Sequence, residues 1–430
     1  MQVLKFGGTS VANAENINKV VDIVKSALSK DKIILVVSAL GGTTDMLIDA
    51  VKLAASRNES YKEKLKTIEK RHIQVVKDLI PVEKQSTTLS LVKTKFNELE
   101  SICEGVFLLQ ELSPRTLDNV VSFGELLSSV IVSARFTTLK VAHQWLDSRE
   151  LIRTNSDFGQ AAVDFDTTNK TIKKAVASHP QKLYIVPGFI ASNIKGITTT
   201  LGRGGSDYTA AIIAAATDAK MLEIWTDVSG MMTADPRLVS NAKVIPHISY
   251  PEAMELSHFG AKVIYPPTIH PVMVKNIPIK IKNTFAPNDF GTLVERNVKG
   301  NKNSVCGISS IGKIALLSLE GSGMVGVPGT SKRMFESLSQ ERINIILITQ
   351  ASSEHSICVA VDEANASKAK SILDTEFANE IAFNKIDPTV IESDLSIIAL
   401  VGENMKNHSG ISGKMFSAMG RNGINIRAIA

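Results

Sequence analysis

Apolar positions along the chain follow two rhythms, one of strands and one of helices. Met1 to Phe6 is a short apolar run that stops at Gly7-Gly8-Thr9-Ser10, and Ile17, Val20, Val21 and Val24 then recur at helical spacing. The pattern predicts a strand, a glycine turn and a helix over about 11–28, with Ser10 as its N-cap. KIILVVSAL comes next as a continuous apolar run, the signature of a parallel strand buried on both faces, and it ends in a second glycine junction, GGTTD. Two strand-to-helix units within the first fifty residues predict an α/β sheet.

From residue 54 to 110 the rhythm becomes long, charged and helical, with Leu65, Ile68, Val75, Val76 and Leu79 on one stripe. This segment reads as an excursion from the sheet, either a lid or an interface. KVAHQWLD, QKLYIVPGFI and MLEIWTDV then read as strands, and SDYTAAIIAAAT as a tightly packed helix. The first domain is expected to span residues 1–297, with NVKGNKNS as the linker. Beyond it lies an internal repeat: GTSKRMFESLSQERINIILIT from Gly329 matches GISGKMFSAMGRNGINIRAIA from Gly410. Each copy is a helix and a strand preceded by an apolar strand, KIALLSLE or LSIIALVGE. The first, over 305–385, continues with HSICVAVDEA and ASKAKSILDTEF, an order that resembles the small regulatory ACT unit. The second, over 386–430, stops in mid-unit and is expected to belong to a longer polypeptide.

Composition narrows the function classes. Of 430 residues, 44% are hydrophobic and 21% charged, and the net charge of +5 is small for this length. Lysines alternate with acids, as in YKEKLKTIEK, which is a solvated helix face rather than a nucleic-acid surface. Cys103, Cys306 and Cys358 are too few and too scattered for a zinc site or a disulfide framework. Apolar runs such as AAIIAAA are too short to cross a membrane. The expectation is a cytoplasmic protein with no nucleic acid and no membrane among its partners.

Four stretches carry candidate chemistry. At the first junction, backbone N–H groups freed by Gly7 and Gly8 and the positive end of a helix dipole make an anion site, to which Lys5 adds a full charge. An ordinary strand-to-helix turn is the alternative. In TTTLGRGGSDYTAA, Arg203 offers a fork for a carboxylate or phosphate, Gly204 and Gly205 expose N–H groups, and Ser206 is placed to cap the helix. Glu125 in SFGELLSS is read at a helix start, where dipole stabilisation and reception of a ligand amino group are evenly matched. Thr226 and Asp227 follow a strand at the carboxyl edge where open α/β sheets bind ligands, and Asp235-Pro236-Arg237 forms a turn. Lys262 in FGAKVIYPP is by itself an ordinary surface lysine.

KFGGTSVA, SFGE, GRGGSDYTA, WTDVSGMMTADPR and FGAKVI, in this order and ahead of ACT-like repeats, resemble the aspartate kinase family across essentially the whole chain. SVCGISSIGKIALLSLEG, with SKRMF and INIILITQASSEHSICVAV after it, is most similar to the form fused to a homoserine dehydrogenase. The resemblance implies a three-layer α/β/α amino-acid kinase fold followed by ferredoxin-like ACT units. It implies transfer of the γ-phosphoryl group of ATP, with Mg2+, to the side chain of L-aspartate. Lys5, Gly7 and Gly8 would hold the phosphates, and Thr44, Glu125, Arg203, Gly204, Gly205 and Ser206 would bind aspartate. Thr226, Asp227, Met232, Arg237, Lys262 and Val263 would line the nucleotide site; Met232 stands where many aspartate kinases carry a tyrosine. Asp207 is the candidate organiser of the phosphate cluster. Gln350 is the candidate contact for an amino-acid effector, which the fused form implies to be threonine, and ACT units imply a homo-oligomer. With its second ACT copy cut short, the chain is expected to respond weakly or not at all to threonine.

Three rival functions can be weighed. Gly321, Gly323 and Gly326 spell a GxGxxG after a strand, but the strand INIILITQ then ends in Thr349-Gln350 where a dinucleotide site wants an acid, so an oxidoreductase is disfavoured. A non-catalytic amino-acid sensor conflicts with the retention of Lys5, Glu125, Arg203 and Asp207 together. A glutamate or carbamate kinase of the same fold is disfavoured by SFGE and by the tail repeats.

Overall fold

The computed structural model describes residues 1–258, 264–298, 304–350 and 355–430. It divides into two units, Met1–Lys302 and Asn303–Ala430. The first unit opens with β1 (Gln2–Phe6), α1 (Ala14–Leu28), β2 (Ile33–Val37) and α2 (Thr43–Ala55). Three long helices come after them: α3 (Ser60–Leu79), α4 (Gln85–Leu109) and α5 (Pro114–Thr138). Next come β3 (Gln144–Trp145), α6 (Ser148–Leu151), β4 (Arg153–Thr154), α7 (Phe165–Ala177), β5 (Leu183–Pro187), β6 (Ile190–Asn193) and β7 (Thr198–Thr200). The unit closes with α8 (Gly205–Ala216), β8 (Leu222–Thr226), β9 (His247–Ser249), α9 (Tyr250–His258), α10 (Pro266–Val274), β10 (Ile279–Asn283) and β11 (Thr292–Glu295).

Eight strands form the main sheet in the order β3-β5-β2-β1-β8-β10-β11-β9, and β4, β6 and β7 form a small second sheet. β1 lies inside the sheet, parallel to β2 and β8, with Lys5 opposite Val36 on one side and Ile224 on the other. Strand alternation divides the side chains between two faces. Leu4, Phe6, Ile33, Leu35, Val37, Leu183 and Ile185 join the core formed with α1–α5. Val3, Lys5, Ile34 and Val36 therefore point to the opposite face, which α8 covers. These are three layers, helix on sheet on helix. Every residue of β2 is buried, as its unbroken apolar run predicts. Burying each such side chain stabilises the fold by about 1.5–3 kcal/mol.

The excursion over 54–110 is part of this core: Tyr61, Leu65, Ile68, Val76, Val92, Phe96 and Leu99 pack into the layer that covers the sheet. α5 is the one helix among the described residues long and apolar enough to cross a membrane, and it is mostly buried within the unit. The start of α1 differs from expectation. Ser10 falls in a single 3-10 turn, Thr9–Val11, and α1 begins later, capped by Asn13, whose side chain accepts from the Asn16 N–H. The Ser10 hydroxyl is buried and bonds the Thr284 hydroxyl at 2.7 Å, tying the end of β1 to the end of β10. Of KVAHQWLD only Gln144–Trp145 pairs as strand.

The second unit is a four-stranded antiparallel sheet. Its elements are β12 (Gly307–Glu320), α11 (Thr330–Gln340), β13 (Leu347–Gln350), β14 (Ser356–Asp362), α12 (Ala366–Glu376), α13 (Ala378–Ala382), β15 (Val390–Val401) and α14 (Ile411–Arg421). The strand order is β13-β14-β12-β15. Leu317, Leu319, Val359, Val361, Met334, Leu338 and Leu373 form its core between strands and helices. β15, expected to open a second unit, instead completes this sheet along β12. That pairing has register shifts between Ile311 and Leu316, so the long β12 is divided into two stretches. INIRAIA, expected as a strand, forms none, and α14 buries no residue.

Candidate active site

The carboxyl ends of β1 and β2 run into two glycine turns that pack directly on each other. The Gly41 N–H donates to the Gly8 carbonyl at 3.0 Å, and the Gly7 N–H donates to the Trp225 carbonyl of β8 at 3.1 Å. A Cβ on Gly8 would lie 3.0 Å from the Ala39 carbonyl oxygen and 3.2 Å from the Gly41 Cα, so the turns approach this closely because neither carries a side chain there. Gly42, at φ +78°, adopts the left-handed conformation that caps α2. Neither the Gly8 nor the Gly42 N–H donates to another described residue.

The N-terminus of α8 faces these turns from the other side. Its cap is Gly204, at φ +68°, so the expectation that Ser206 caps the helix is corrected: Ser206 sits buried inside the first turn. The glycines are again steric requirements. A Cβ on Gly188 would lie 2.6 Å from the Ser206 Cβ, and one on Gly204 only 2.3 Å from the Tyr265 Cβ. Phe189, between β5 and β6, is held at φ +67°, an uncommon conformation for a bulky residue.

Together these parts enclose a cleft of about 340 Å³ lined by Lys5, Gly8, Thr44, Glu125, Arg203, Gly204, Gly205, Ser206 and Asp207. That volume lies within the usual range for small-ligand sites. Lys5 is 8% exposed, and its ammonium meets the Asp207 carboxylate at 2.5 Å. Strand alternation sends Lys5 toward α8, and Asp207 lies in the first turn of that helix, so sheet and helix bring the two charges together. Arg203 is exposed at the cleft with no ion-pair partner among the described residues. Glu125 lies in the middle of α5, which corrects its expected place at a helix start. Its carboxyl is 4% exposed, and burial pushes it up to about 8 against the smaller opposing effects of the Ala39 N–H and the Lys5 charge. One of its oxygens, Oε2, has no hydrogen-bond partner among the described residues.

The family profile of the amino acid kinase family matches residues 1–283. The chain belongs to that family, among the aspartokinases. An ACT domain profile matches residues 317–377 and 398–430. A bifunctional aspartokinase/homoserine dehydrogenase 1 of Zea mays is 37% identical over 433 residues, covering 100% of this chain and 47% of the relative. The chain thus spans about half the length of the curated relatives it matches first. Aspartokinase III of E. coli in complex with aspartate and ADP, in its R-state, superposes with a TM-score of 0.85 at 31% identity, over 100% of this chain and 93% of that one. The same enzyme with lysine and aspartate, in its T-state, gives a TM-score of 0.78 at 32% identity, again over 100% and 93%.

Of the residues expected around the nucleotide, Thr226, Asp227, Met232 and Arg237 lie outside the cleft lining. Thr226 ends β8 beside Gly7; its carbonyl accepts from the Thr284 N–H at 2.8 Å and its hydroxyl donates to Asp227 at 3.1 Å. Met232 is half-buried and bridges to Val244. Arg237 is exposed, and its guanidinium is already engaged by Asp235 at 2.7 Å. Lys262 and Val263 lie outside the described residues. In the ACT unit, Gln350 is exposed at the end of edge strand β13, opposite Ile357. Some participants went unnoticed in the sequence. Ser38, Gly41, Asp45 and Phe189 also line the cleft; the GGTTD junction was the signal for Gly41 and Asp45, whereas nothing local marked Phe189. Asp118, buried on α5, accepts from the N–H groups of Thr200 and Gly159 and from the Thr200 hydroxyl, so it anchors the strand that leads to Arg203. Nothing in its local sequence marks it.

Proposed function

We propose that this chain transfers the γ-phosphoryl group of ATP to the side-chain carboxylate of L-aspartate, giving 4-phospho-L-aspartate and ADP. The observation that carries this reading is the cleft itself. Two glycine turns present unpaired N–H groups, the Lys5–Asp207 pair stands opposite, and Arg203 and the buried Glu125 complete a site for an amino acid with two carboxylates. The aspartate and ADP in the complex of E. coli aspartokinase III support the same assignment.

An aspartate side chain has a pKa near 4, so it arrives ionised and needs no general base. One of its oxygens attacks the γ-phosphorus while the bond to the β–γ bridging oxygen breaks, and ADP leaves with the electron pair. Lys5 and the Gly8 and Gly42 N–H groups are placed to stabilise charge on the phosphoryl oxygens, which is the main catalytic need of such a transfer. Asp207 holds the Lys5 ammonium in place. Arg203 grips the aspartate α-carboxylate, Glu125 receives its ammonium, and Thr44, Gly204, Gly205 and Ser206 line its pocket. Thr226, Asp227, Met232, Arg237, Lys262 and Val263 are assigned to the nucleotide, with Arg237 required to leave Asp235. Mg2+ supplies neutralisation of the phosphate charge. The described residues hold no cluster of three metal-ligating side chains; Asp45 is the exposed acid of the cleft and Asp207 is engaged by Lys5, a donor set that would suit an ion carried mainly by the nucleotide phosphates.

The ACT unit is assigned a feedback role with an amino-acid effector, threonine by resemblance to the fused form, and a part in homo-oligomer formation. A longer protein with this chain at its front would also be a homoserine dehydrogenase. Aspartate-dependent release of ADP tests the kinase reading. A folded sample that binds ATP but releases ADP at the background rate in the presence of aspartate would point to a sensor instead.

A further inference from the structure

Arg71, on α3 and far from the cleft in sequence, reaches the second glycine turn and the end of the short 3-10 turn that continues the first. Its guanidinium donates to the Gly41 carbonyl at 2.7 Å through one terminal nitrogen and to the Ala12 carbonyl at 3.0 Å through the other. No carboxylate among the described residues pairs with it, although it is half-buried and burial lowers its basicity. A charge held there without a counter-ion is costly, so its two backbone bonds are the interactions that offset the burial. We propose that Arg71 is a positioning residue for phosphoryl transfer, a fork that locks the two glycine turns together so that their N–H groups face the phosphates. The proposal rests on the aspartate kinase reading of the cleft.

The geometry supplies the mechanism. A peptide unit is planar and trans, so fixing the Gly41 carbonyl on Arg71 turns the Gly42 N–H the opposite way. Gly42 lines the cleft, and its N–H has no partner among the described residues. The N–H of Gly41 is itself held by the Gly8 carbonyl, so both sides of this residue are fixed. Ala12 is the last residue before the Asn13 cap of α1, and its anchored carbonyl sets where the first turn ends. One planar fork thus adds two bonds to those from the Gly41 N–H to the Gly8 carbonyl and from the Ser38 N–H to the Phe6 carbonyl, and reaches further along the first segment. A lysine, a single point donor, would not hold both with the same geometry. This gives the helical excursion a part in catalysis that a solvated helix would not have.

The test compares Arg71→Met, which keeps the apolar stem, with Arg71→Ala, which leaves room for the lost guanidinium. Amide exchange of peptides covering residues 6–13 and 38–46 is measured first, since it needs no substrate. Both segments should exchange at least tenfold faster in Arg71→Met while the peptides of β2 and α8 stay within twofold. Turnover is measured next: kcat should fall at least tenfold, with the KM for aspartate changed less than threefold. Added guanidinium should restore part of kcat in Arg71→Ala and none in Arg71→Met, whose side chain fills the space. Unchanged exchange in both turns would overturn the fork even if the wild-type protein proved to act on a substrate other than aspartate. Faster exchange with kcat within twofold of wild type, or a loss no larger than the unfolded fraction and without rescue, would overturn its role in transfer. A wild-type protein that releases no ADP with aspartate would sink the kinase reading alone, and the exchange result would still decide the fork.

Discussion

Glu125 carries the deepest ionisable group of the cleft, and its burial links ligand binding to protons. A carboxyl held up to about 8 is protonated at neutral pH in the free protein. An ammonium arriving beside it favours the charged form, so aspartate binding at pH 7 should release close to one proton. Calorimetry in two buffers of different ionisation enthalpy measures this, and Glu125→Gln should release none. The same shift sets a stability profile. Because the folded value lies above the ordinary one, the group's contribution is fully present below about pH 4.5 and is lost as pH rises through about 8. Thermal melts of Glu125→Gln should therefore gain on wild type between pH 5 and 8; a difference independent of pH would show that the carboxyl is not desolvated. Lys5 and Arg203 divide another pair of effects. Lys5→Ala should lower kcat roughly 100-fold or more with little change in aspartate KM, because its charge matters most as the phosphoryl group moves. Arg203→Ala should act mainly through aspartate KM. Steady-state kinetics of both variants checks the division, and a change confined to nucleotide affinity in both would contradict it.

The site is made where elements end, and the elements were legible to different degrees. β2 and α8 were visible because their apolar runs need burial on two sides, and both glycine junctions were visible because glycine marks close backbone approach. The position of Glu125 was not legible: SFGE reads locally as a helix start, and only packing of Val120, Phe123 and Leu127 against the sheet shows α5 continuing through it. Ser10 and Ser206 were misplaced as caps for a similar reason, since a hydroxyl that suits a cap also suits a buried bond such as that from Ser10 to Thr284. Asp118 and Arg71 were hidden because their partners lie tens of residues away. Gly188 shows how tightly one element sets another. Its missing Cβ is the space that Ser206 occupies, so Gly188→Ala should push the start of α8 away from the turns. Urea unfolding should register a loss of about 1–3 kcal/mol, as for overpacking elsewhere, together with a fall in kcat. Full activity in that variant would mean that the position of α8 is not critical.

At the scale of the whole molecule, a kinase domain precedes a sheet assembled from both repeat copies. β15 closes the sheet beside β12, while α14 buries none of its residues and the segment after it adds no strand. Feedback needs an effector that binds two states differently, and a helix that buries no residue offers little of that difference. ADP release titrated with threonine should therefore change little in this chain, whereas strong inhibition would show that the completed sheet senses by itself. The fold does not by itself name the acceptor, since function resides in the site rather than the fold. Here the acceptor rests on Arg203, Glu125 and the size of the cleft. The most direct measurement is hydroxylamine trapping of the acyl phosphate, with ATP and aspartate, glutamate or carbamate supplied side by side. A hydroxamate formed from aspartate, and at background level from the other two, is the predicted result; a hydroxamate from glutamate at an equal or higher rate, or none from aspartate in a sample that binds ATP, would contradict it.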